Sequence, residues 1–260
     1  MKKAAKIDKK QAWRIVSNIV YPLIALGIML AVWAIAAKAE DNPLVLPMPS
    51  VVLERFFTLD GEKGFWTSVG YTLLRTLVCF AISFVFAAIF AILGGLCNPV
   101  HRIMSPIVSV LRSAPTVAVI LILYAFLSGN AMAVVVGFLI AFPIMYSAFH
   151  SAIVGVDKDL VEMAKVYKVR PLDIARSIYV PSVTPSVFDT SKSTLSLTLK
   201  VVVAAEILTN VQGSIGGKIQ VANASSEIAY LLAYTLVAIV FSFVLEGVVA
   251  LAKKIWEVAR

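Results

Sequence analysis

The stretch SAPTVAVILILYAFLSGNAMAVVVGFLIAFPIMYSAF, residues 113–149, contains 37 consecutive residues without a formal charge. An α-helix needs about 20 apolar residues to cross about 30 Å of hydrocarbon, so this stretch is long enough for two spans. The cluster Ser128, Gly129 and Asn130 lies near its middle and is typical of a turn. The stretch therefore predicts two membrane-spanning helices.

Four further apolar runs bring the pattern to six predicted spans, and they cover residues 19–37, 76–96, 185–208 and 228–252. The composition agrees with a lipid environment, because 60% of the 260 residues are hydrophobic and 15% are charged. Soluble domains average about 45–50% and about 25%, respectively. We therefore predict an all-α integral membrane protein with six transmembrane helices, built as a single domain over residues 1–260 with its six-span core at 19–252.

The basic residues are concentrated in the segments on one side of these spans. Sixteen of the 23 Lys and Arg residues lie in residues 1–18, 97–112, 150–184 and the tail 253–260. Cytoplasmic loops are enriched in Lys and Arg, so the N-terminus, the C-terminus and the connection between spans four and five are predicted to be cytoplasmic. The same topology explains the net charge of +8 and leaves nucleic-acid binding without support.

A cleaved signal peptide is an alternative reading of the N-terminus, since basic residues precede an apolar run and Ala37-Lys38-Ala39 imitates a cleavage site. The run at residues 19–37 is longer than the about 7–15 apolar residues of such peptides. We expect the segment to be retained as the first span. A mature chain that starts at Glu40 would contradict this.

The polar connection between spans four and five, residues 157–181, is patterned like a short helix followed by a bend. We call this segment the elbow. Asp159 followed by Glu162 has the spacing of a capping box, which predicts a helix that runs to about Lys168.

A second short helix is predicted after the bend. Pro171 disfavours helical geometry at Arg170 and suits the first position of a helix, and Asp173 suits the positive first turn. Pro181 and Pro185 are predicted to end this helix. The elbow therefore predicts two short helices that project charged side chains into the cytoplasm.

Several segments share their pattern with one protein family: EMAKVYK (162–168), IYVP (178–181), LPMPSVVLERF (46–56), SVGYTLLRTL (68–77), SVLRSAPTVAVILIL (109–123) and KVVVAAEIL (200–208). The first two resemble the EAA loop of the permease subunits of binding-protein-dependent (type I) ABC importers. The others resemble the nitrate, sulfonate, taurine and bicarbonate branch of that family.

The elbow departs from the family pattern at two positions. Met163 stands where the family usually has alanine, and Lys168 stands where it usually has glycine. A left-handed bend is nearly free for glycine but costs other residues about 1 kcal/mol or more. We therefore expect Lys168 to stay helical and the bend to move to Val169 and Arg170.

The resemblance implies the permease subunit of an ATP-driven importer in the bacterial cytoplasmic (inner) membrane. A soluble extracytoplasmic binding protein would deliver the solute, and a second copy or a sister permease would complete the pathway. The elbow would dock into a separate ATPase through Glu162, Ala164, Lys168, Val169, Arg170, Pro171, Leu172 and Asp173. A role of Glu162 in capping alone and a solvated elbow are the alternatives.

The chain itself is expected to bind no cofactor. Its nearest imitation of a phosphate-binding loop, GSIGGK at residues 213–218, lacks the required spacing. ATP and Mg would therefore be bound by the partner ATPase. We expect no catalytic residue, and two Cys with two His leave too few ligands for a structural metal site.

The fifth predicted span carries charges that mark a candidate translocation pathway. Lys200 is the leading residue, since a lysine deep in a span usually faces a cavity or a partner. Glu206 is a further pathway candidate, and the alternative for Lys200 is a structural pair with Glu206 or Glu246. Ser196 belongs to a hydroxyl-rich stretch that suits either the pathway or close helix packing.

A second pair of charges lies near the cytoplasmic end of the same span. Asp189 and Lys192 are three residues apart and are expected to neutralise each other. An ion-driven secondary transporter would use the charges of this span for coupling, and an integral membrane enzyme would need a catalytic constellation. These two functions remain the alternatives to the importer.

Overall fold

The computed structural model describes residues 9–127 and 129–259, and this part of the chain is built from helices joined by short turns. The helices are α1 (Lys9–Glu40), α2 (Pro49–Thr58), α3 (Phe65–Leu96), α4 (Asn98–Ser113), α5 (Thr116–Tyr124), α6 (Gly129–Val154), α7 (Lys158–Val166), α8 (Pro171–Ile174), α9 (Val180–Leu208), α10 (Ile215–Ala224) and α11 (Ile228–Val258). The predicted all-α class is confirmed.

The long helices α3, α6, α9 and α11 form the centre of the fold. Leu199 and Val237 are buried in the cluster that α9 and α11 share with α3. Val136 of α6 and Val202 of α9 are buried in a second cluster. A third cluster joins α3, α4 and α6 around Phe142. Dispersion and close packing hold these helices together, because in lipid the burial of apolar surface does not distinguish a neighbour from a lipid tail.

Four helices of the described residues are long and apolar enough to cross a membrane: Val20–Glu40 of α1, α3, Ala131–Val154 of α6, and α11. Helices α4 and α5 meet at an angle of 93° and reach the length of a span only together. Helix α9 lies where the fifth span was predicted, but its charged residues keep it out of this set. By length and composition the structure therefore has four candidate spans, or five with the bent pair.

Two predicted span boundaries are wrong. The second span begins at Phe65 rather than at residue 76, so Arg75 lies inside the helix instead of at its entrance. The third was predicted to start at residue 113, yet α5 has only 9 residues and is about 14 Å long. Pro115 separates it from α4 because proline cannot continue the hydrogen-bonding pattern of the preceding helix.

The turn predicted inside residues 113–149 lies where expected. Gly129, with a φ of +59°, begins α6 after α5 has ended at Tyr124. Ser128 and the side chain of Asn130 lie outside the described residues, as do residues 1–8, which hold Lys2, Lys3 and Lys6 of the basic segment, and Arg260 of the tail.

Helix α1 stands apart from the rest of the fold. Its apolar stretch Val20–Glu40 is only 6% buried, and its main neighbour is α2. Helix α2 in turn packs against α11, where the guanidinium of Arg55 lies 5.0 Å from the ring centre of Tyr230. The described part of α1 therefore exposes almost all of its apolar surface.

Candidate functional site

The elbow begins with α7, and the residue that caps this helix is Asp157. Its Oδ1 atom accepts a hydrogen bond from the backbone N–H of Asp159 at 2.9 Å. The predicted cap at Asp159 is therefore wrong, because the cap lies two residues earlier, at Asp157, and α7 begins at Lys158. Glu162 lies more than one turn inside α7 with an exposed side chain. The position that a capping box requires for Glu is occupied by Leu160 instead.

The end of α7 contradicts the expectation that Lys168 stays helical. Lys168 has a φ of +56°, the left-handed conformation that a glycine would adopt readily. The N–H of Val169 donates to the carbonyl of Ala164 at 3.0 Å, and the N–H of Lys168 donates to the carbonyl of Lys165 at 2.9 Å. These two bonds form a Schellman motif, which satisfies the last carbonyls of the helix and offsets the conformational cost.

The second half of the elbow begins as predicted. Arg170 is extended, with φ −61° and ψ 141°, and Pro171 opens α8. The predicted end at Pro181 and Pro185 is wrong, because α8 continues through the π-helical turn Ala175–Tyr179 into α9. The π turn ends at Tyr179, two residues before Pro181, and such widened turns relax the hydrogen-bonding pattern that a proline ring would otherwise disrupt.

The elbow exposes apolar side chains that a solvated loop would not need. Val166, Tyr167 and Leu172 are 73%, 77% and 60% exposed. Ala164 and Ile174 are buried. The charged side chains of Glu162, Lys168, Arg170 and Asp173 are exposed around the apolar ones. Apolar anchors within a charged rim are typical of a protein-binding surface.

A groove with a volume of about 630 Å³ lies between the elbow and the bundle. Its walls are mostly apolar and include Ile92 and Leu96 of α3, Ile153 of α6, Val169 of the elbow and Val180 of α9. The elbow is therefore continuous with α9 and is separated from α3 and α6 by this groove.

The three predicted pathway residues on α9 have different surroundings. Lys200 is exposed and forms no ion pair with any residue in the described part of the chain. Ser196 is buried, and its Oγ lies 2.5 Å from Oγ of Ser242 on α11. Glu206 is fully buried. The structure thus does not bring these side chains together on one surface of the protomer, and their role in transport stays a prediction.

Glu206 pairs with a residue that the sequence did not single out. Nη1 of Arg75 on α3 donates to Oε1 of Glu206 at 2.6 Å, and both side chains are buried. The alternative pair of Glu206 with Lys200 does not form. The available signal was that Arg75 is the charged residue of the apolar helix α3 and that α9 carries Glu206, of opposite sign, since buried charges in a membrane usually have partners.

The charges near the elbow end of α9 also pair differently from the prediction. Asp189 accepts a bond from Nζ of Lys253 at 2.7 Å, and Nζ of Lys192 lies 4.0 Å from Glu246. Both partners belong to α11. The expected neutralisation of Asp189 by Lys192 is therefore wrong, and these charges join α9 to α11 instead.

An aromatic cluster lies where α3, α4 and α6 meet. The rings of His101 and His150 are stacked with their centres 3.8 Å apart, and Nδ1 of His101 lies 3.0 Å from the hydroxyl of Tyr146. Stacked rings do not direct their nitrogens at a common point. Among residues 9–127 and 129–259, no group of three or more His, Cys, Asp or Glu side chains is placed to hold a metal ion.

Residues 92–255, from the end of α3 through the elbow and α9 to α11, match the family of binding-protein-dependent transport system inner membrane components. The chain belongs to this family. The resemblance inferred from the elbow and its neighbouring segments is thereby confirmed, and the protein is a multi-pass membrane permease of the type I ABC importer class.

Individual relatives and a solved structure agree with this family assignment. The taurine transport system permease protein TauC of Escherichia coli is 26% identical over 95% of this chain and 92% of its own. The nitrate import permease protein NrtB of Synechococcus elongatus is 30% identical over 75% and 73%. A chain of a bacterial alginate ABC transporter, solved in complex with an alginate-bound periplasmic protein, has the same fold with a TM-score of 0.59 and 15% identity over 92% and 94%.

Proposed function

We propose that this chain is the transmembrane permease subunit of an ATP-driven importer, with both termini in the cytoplasm of a bacterium and six spans in its inner membrane. The six spans would be α1, α3, the bent pair of α4 and α5, α6, α9 and α11. The concentration of Lys and Arg on the elbow side supports this orientation. Helix α9 would span despite its charges because most of them are paired with neighbouring helices.

The observation that carries the proposal is the elbow. It is a capped helical structure that exposes the apolar side chains Val166, Tyr167 and Leu172, and it continues without a loop into α9. Such a surface receives a partner, and a partner that moves it moves α9 as well. The partner would be an ATPase subunit that binds ATP and Mg, contacted by Glu162, Lys168, Val169, Arg170, Pro171, Leu172 and Asp173, with Ala164 holding the elbow in place.

The remaining partners would complete the importer. A second copy of this chain or a sister permease would cover the exposed faces of the bundle and close the pathway. A soluble binding protein would deliver the solute from outside, and the complex of the alginate transporter with its alginate-bound periplasmic protein supports this arrangement. The chain itself would bind no cofactor.

The solute is proposed to be a small anion. Lys200 is the exposed, unpaired cation among the described residues of α9, and the relatives are named for taurine and nitrate.

Replacing Lys200 with Met should lower uptake by about tenfold, because a cation deep in a low-dielectric pathway interacts strongly with an anion. Lys192→Met is the matched control, since it removes a lysine from the same helix near the elbow end. A loss of protein yield without a loss of specific uptake contradicts the role of Lys200.

The proposed function is tested by purification and reconstitution. The tagged chain should co-purify with an ATPase subunit, and proteoliposomes that contain both should accumulate solute only when ATP and the binding protein are supplied. The ligand that the binding protein retains, identified by mass spectrometry, then names the solute. Uptake at full rate without an ATPase, driven by an ion gradient, would establish the secondary transporter instead.

A further inference from the structure

A cluster at the end of α9 opposite to the elbow joins three helices through one carboxylate. Glu206 lies two residues before the end of α9 and is fully buried. Its carboxylate accepts from Nη1 of Arg75 at 2.6 Å, from Oγ1 of Thr72 at 2.9 Å and from the backbone N–H of Gly216 at 3.2 Å. Arg75 and Thr72 belong to α3, and Gly216 belongs to the first turn of α10. We call these residues the Glu206 cluster.

The first turn of α10 is fitted closely to α9. A Cβ atom at Gly216 would overlap with the Cβ of Glu206 and with the carbonyl of Val203, and a Cβ at Gly217 would overlap with the carbonyl of Val211. Gly216 is therefore required for α10 to come close enough to α9 for its amide to reach the carboxylate, and Gly217 is required for the close approach to the turn at Val211. This is the structural reason for Gly216 and Gly217 of GSIGGK, which does not form a phosphate-binding loop.

The amides of the first turn of α10 are all used within the protomer. The N–H of Ile215 donates to Oγ1 of Thr72 at 3.0 Å, and the N–H of Gly217 donates to Oγ of Ser214 at 2.9 Å. Together with the bond from Gly216 to Glu206, these contacts satisfy the unpaired donors of a helix start. A negative carboxylate at this end of α10 is favourable for the helix dipole as well.

Helix α9 connects the Glu206 cluster to the elbow. It has 29 residues, which corresponds to about 43 Å, and its first residue follows the π turn of the elbow directly. A displacement of the elbow therefore shifts or tilts Glu206, and the bond to Gly216 carries the start of α10 along.

On the basis of the proposed function, we infer that Glu206 is a positioning residue for transport that ties α10 to α9. Through this tie, movement that the ATPase imposes on the elbow reaches α10 at the opposite end of the fold. The carboxylate is needed because two oxygens accept from three groups at once. A glutamine in its place has a single accepting oxygen and must leave Arg75, Thr72 or Gly216 without its bond.

The test uses the permease with its co-purified ATPase and its binding protein in proteoliposomes. Glu206→Gln weakens the link between α9 and α10, and Thr72→Val removes the hydroxyl of α3 that bonds both Glu206 and the N–H of Ile215, each with little change in side-chain volume. Both variants should still assemble and hydrolyse ATP within about twofold of the wild-type rate, while uptake per ATP hydrolysed falls by about tenfold. Glu246→Gln is the matched control, because it removes a half-exposed carboxylate whose nearest cation is 4.0 Å away, and it should leave this ratio unchanged.

A distance measurement adds a readout that does not depend on transport. Val221 of α10 and Lys63 before α3 are exposed, so Val221→Cys with Lys63→Cys in a background without Cys79 and Cys97 accepts a pair of spin labels. The wild-type distance distribution should be narrow and should shift when ATP is added. Glu206→Gln should broaden it and abolish the shift.

The outcomes separate this inference from the proposed function. Unchanged uptake per ATP and an unchanged distance distribution in Glu206→Gln overturn the role of Glu206. If Glu206→Gln does not insert, Arg75→Met with Glu206→Met decides, since this double variant removes the acceptor for the N–H of Gly216 and leaves no buried charge without a partner. If wild-type uptake needs no ATP, the proposed function fails. The labelled protein without nucleotide then still shows whether Glu206 fixes α10.

Discussion

The two ends of α9 differ in whether their side chains find partners within the protomer. At the Glu206 cluster, three donors of the same protomer surround a buried carboxylate, and the neighbouring helix start is satisfied as well. At the elbow, the backbone is equally well bonded, but apolar side chains such as Tyr167 and Leu172 face outward. One end of the helix is therefore complete within the protomer. The other end exposes apolar side chains that, under the proposed function, the ATPase would cover.

The largest loss of stability is expected from a substitution in the Glu206 cluster. Arg75→Ala leaves the carboxylate of Glu206 buried without its cation, and breaking one partner of a buried pair costs about 3–5 kcal/mol. The free energy of unfolding, measured in bicelles or by heat inactivation in detergent, should fall by this amount.

A double variant sharpens this prediction. Arg75→Met together with Glu206→Gln removes both charges and should recover most of the lost stability, because no uncompensated charge remains. Equal losses in Arg75→Ala and in the double variant would show that packing around the side chains, rather than their charge, stabilises this end.

Substitutions at the elbow are expected to change the stability of the permease little but to weaken its binding of the ATPase clearly. Leu172→Glu with Asp173→Lys changes two exposed side chains, so insertion and thermal stability should stay within about 0.5 kcal/mol of the wild type. Binding of the ATPase should weaken by about 2 kcal/mol or more, because exposed apolar anchors contribute most of the affinity of an interface. Co-purification and the coupling of ATP hydrolysis to uptake measure this loss.

The control for this variant introduces the same two residue types, Glu and Lys, on α2. Leu53→Glu with Glu54→Lys alters an exposed apolar and acidic pair on α2, far along the chain from the elbow. The ATPase should remain bound in this control. Retention of the ATPase by the elbow variant would place the docking surface elsewhere and remove the contrast between the two ends of α9.

The smallest change in stability is expected from a substitution at Lys168, in the bend of the elbow. Lys168→Gly should stabilise the end of α7 by about 1 kcal/mol, since glycine adopts the left-handed conformation without strain. Hydrogen exchange of the Val169 amide, which is bonded to Ala164, should slow about fivefold. Tyr167→Gly is the control, because Tyr167 has a φ of −77° and should lose protection when it becomes glycine. A faster exchange in Lys168→Gly would show that the lysine side chain itself stabilises the bend.

The sequence predicts features that depend on neighbouring residues. Pro171 marks the start of α8 through its own geometry, and the glycine of the Ser128 to Asn130 cluster marks the break before α6. The left-handed conformation of Lys168 was missed, because the bonds that favour it come from the whole last turn of α7 rather than from the lysine.

Features that join distant segments were harder to predict. Arg75 and Glu206 are 131 residues apart, and nothing in either helix alone identifies the partner of its charge. The pairs of Asp189 with Lys253 and of Lys192 with Glu246 were missed for the same reason, since a local pair at helical spacing was available as an explanation. The bend between α4 and α5 was missed because an uncharged run indicates an apolar segment but does not indicate where the helix axis changes direction.

The isolation of α1 has a consequence for biogenesis. Since Val20–Glu40 draws little from the other helices of its own protomer, its residence in the bilayer depends on its own transfer free energy. Under the proposed topology it would therefore enter the membrane on its own hydropathy, before any later helix has been synthesised. Exchanges among its apolar residues that keep the summed hydropathy would then leave insertion unchanged.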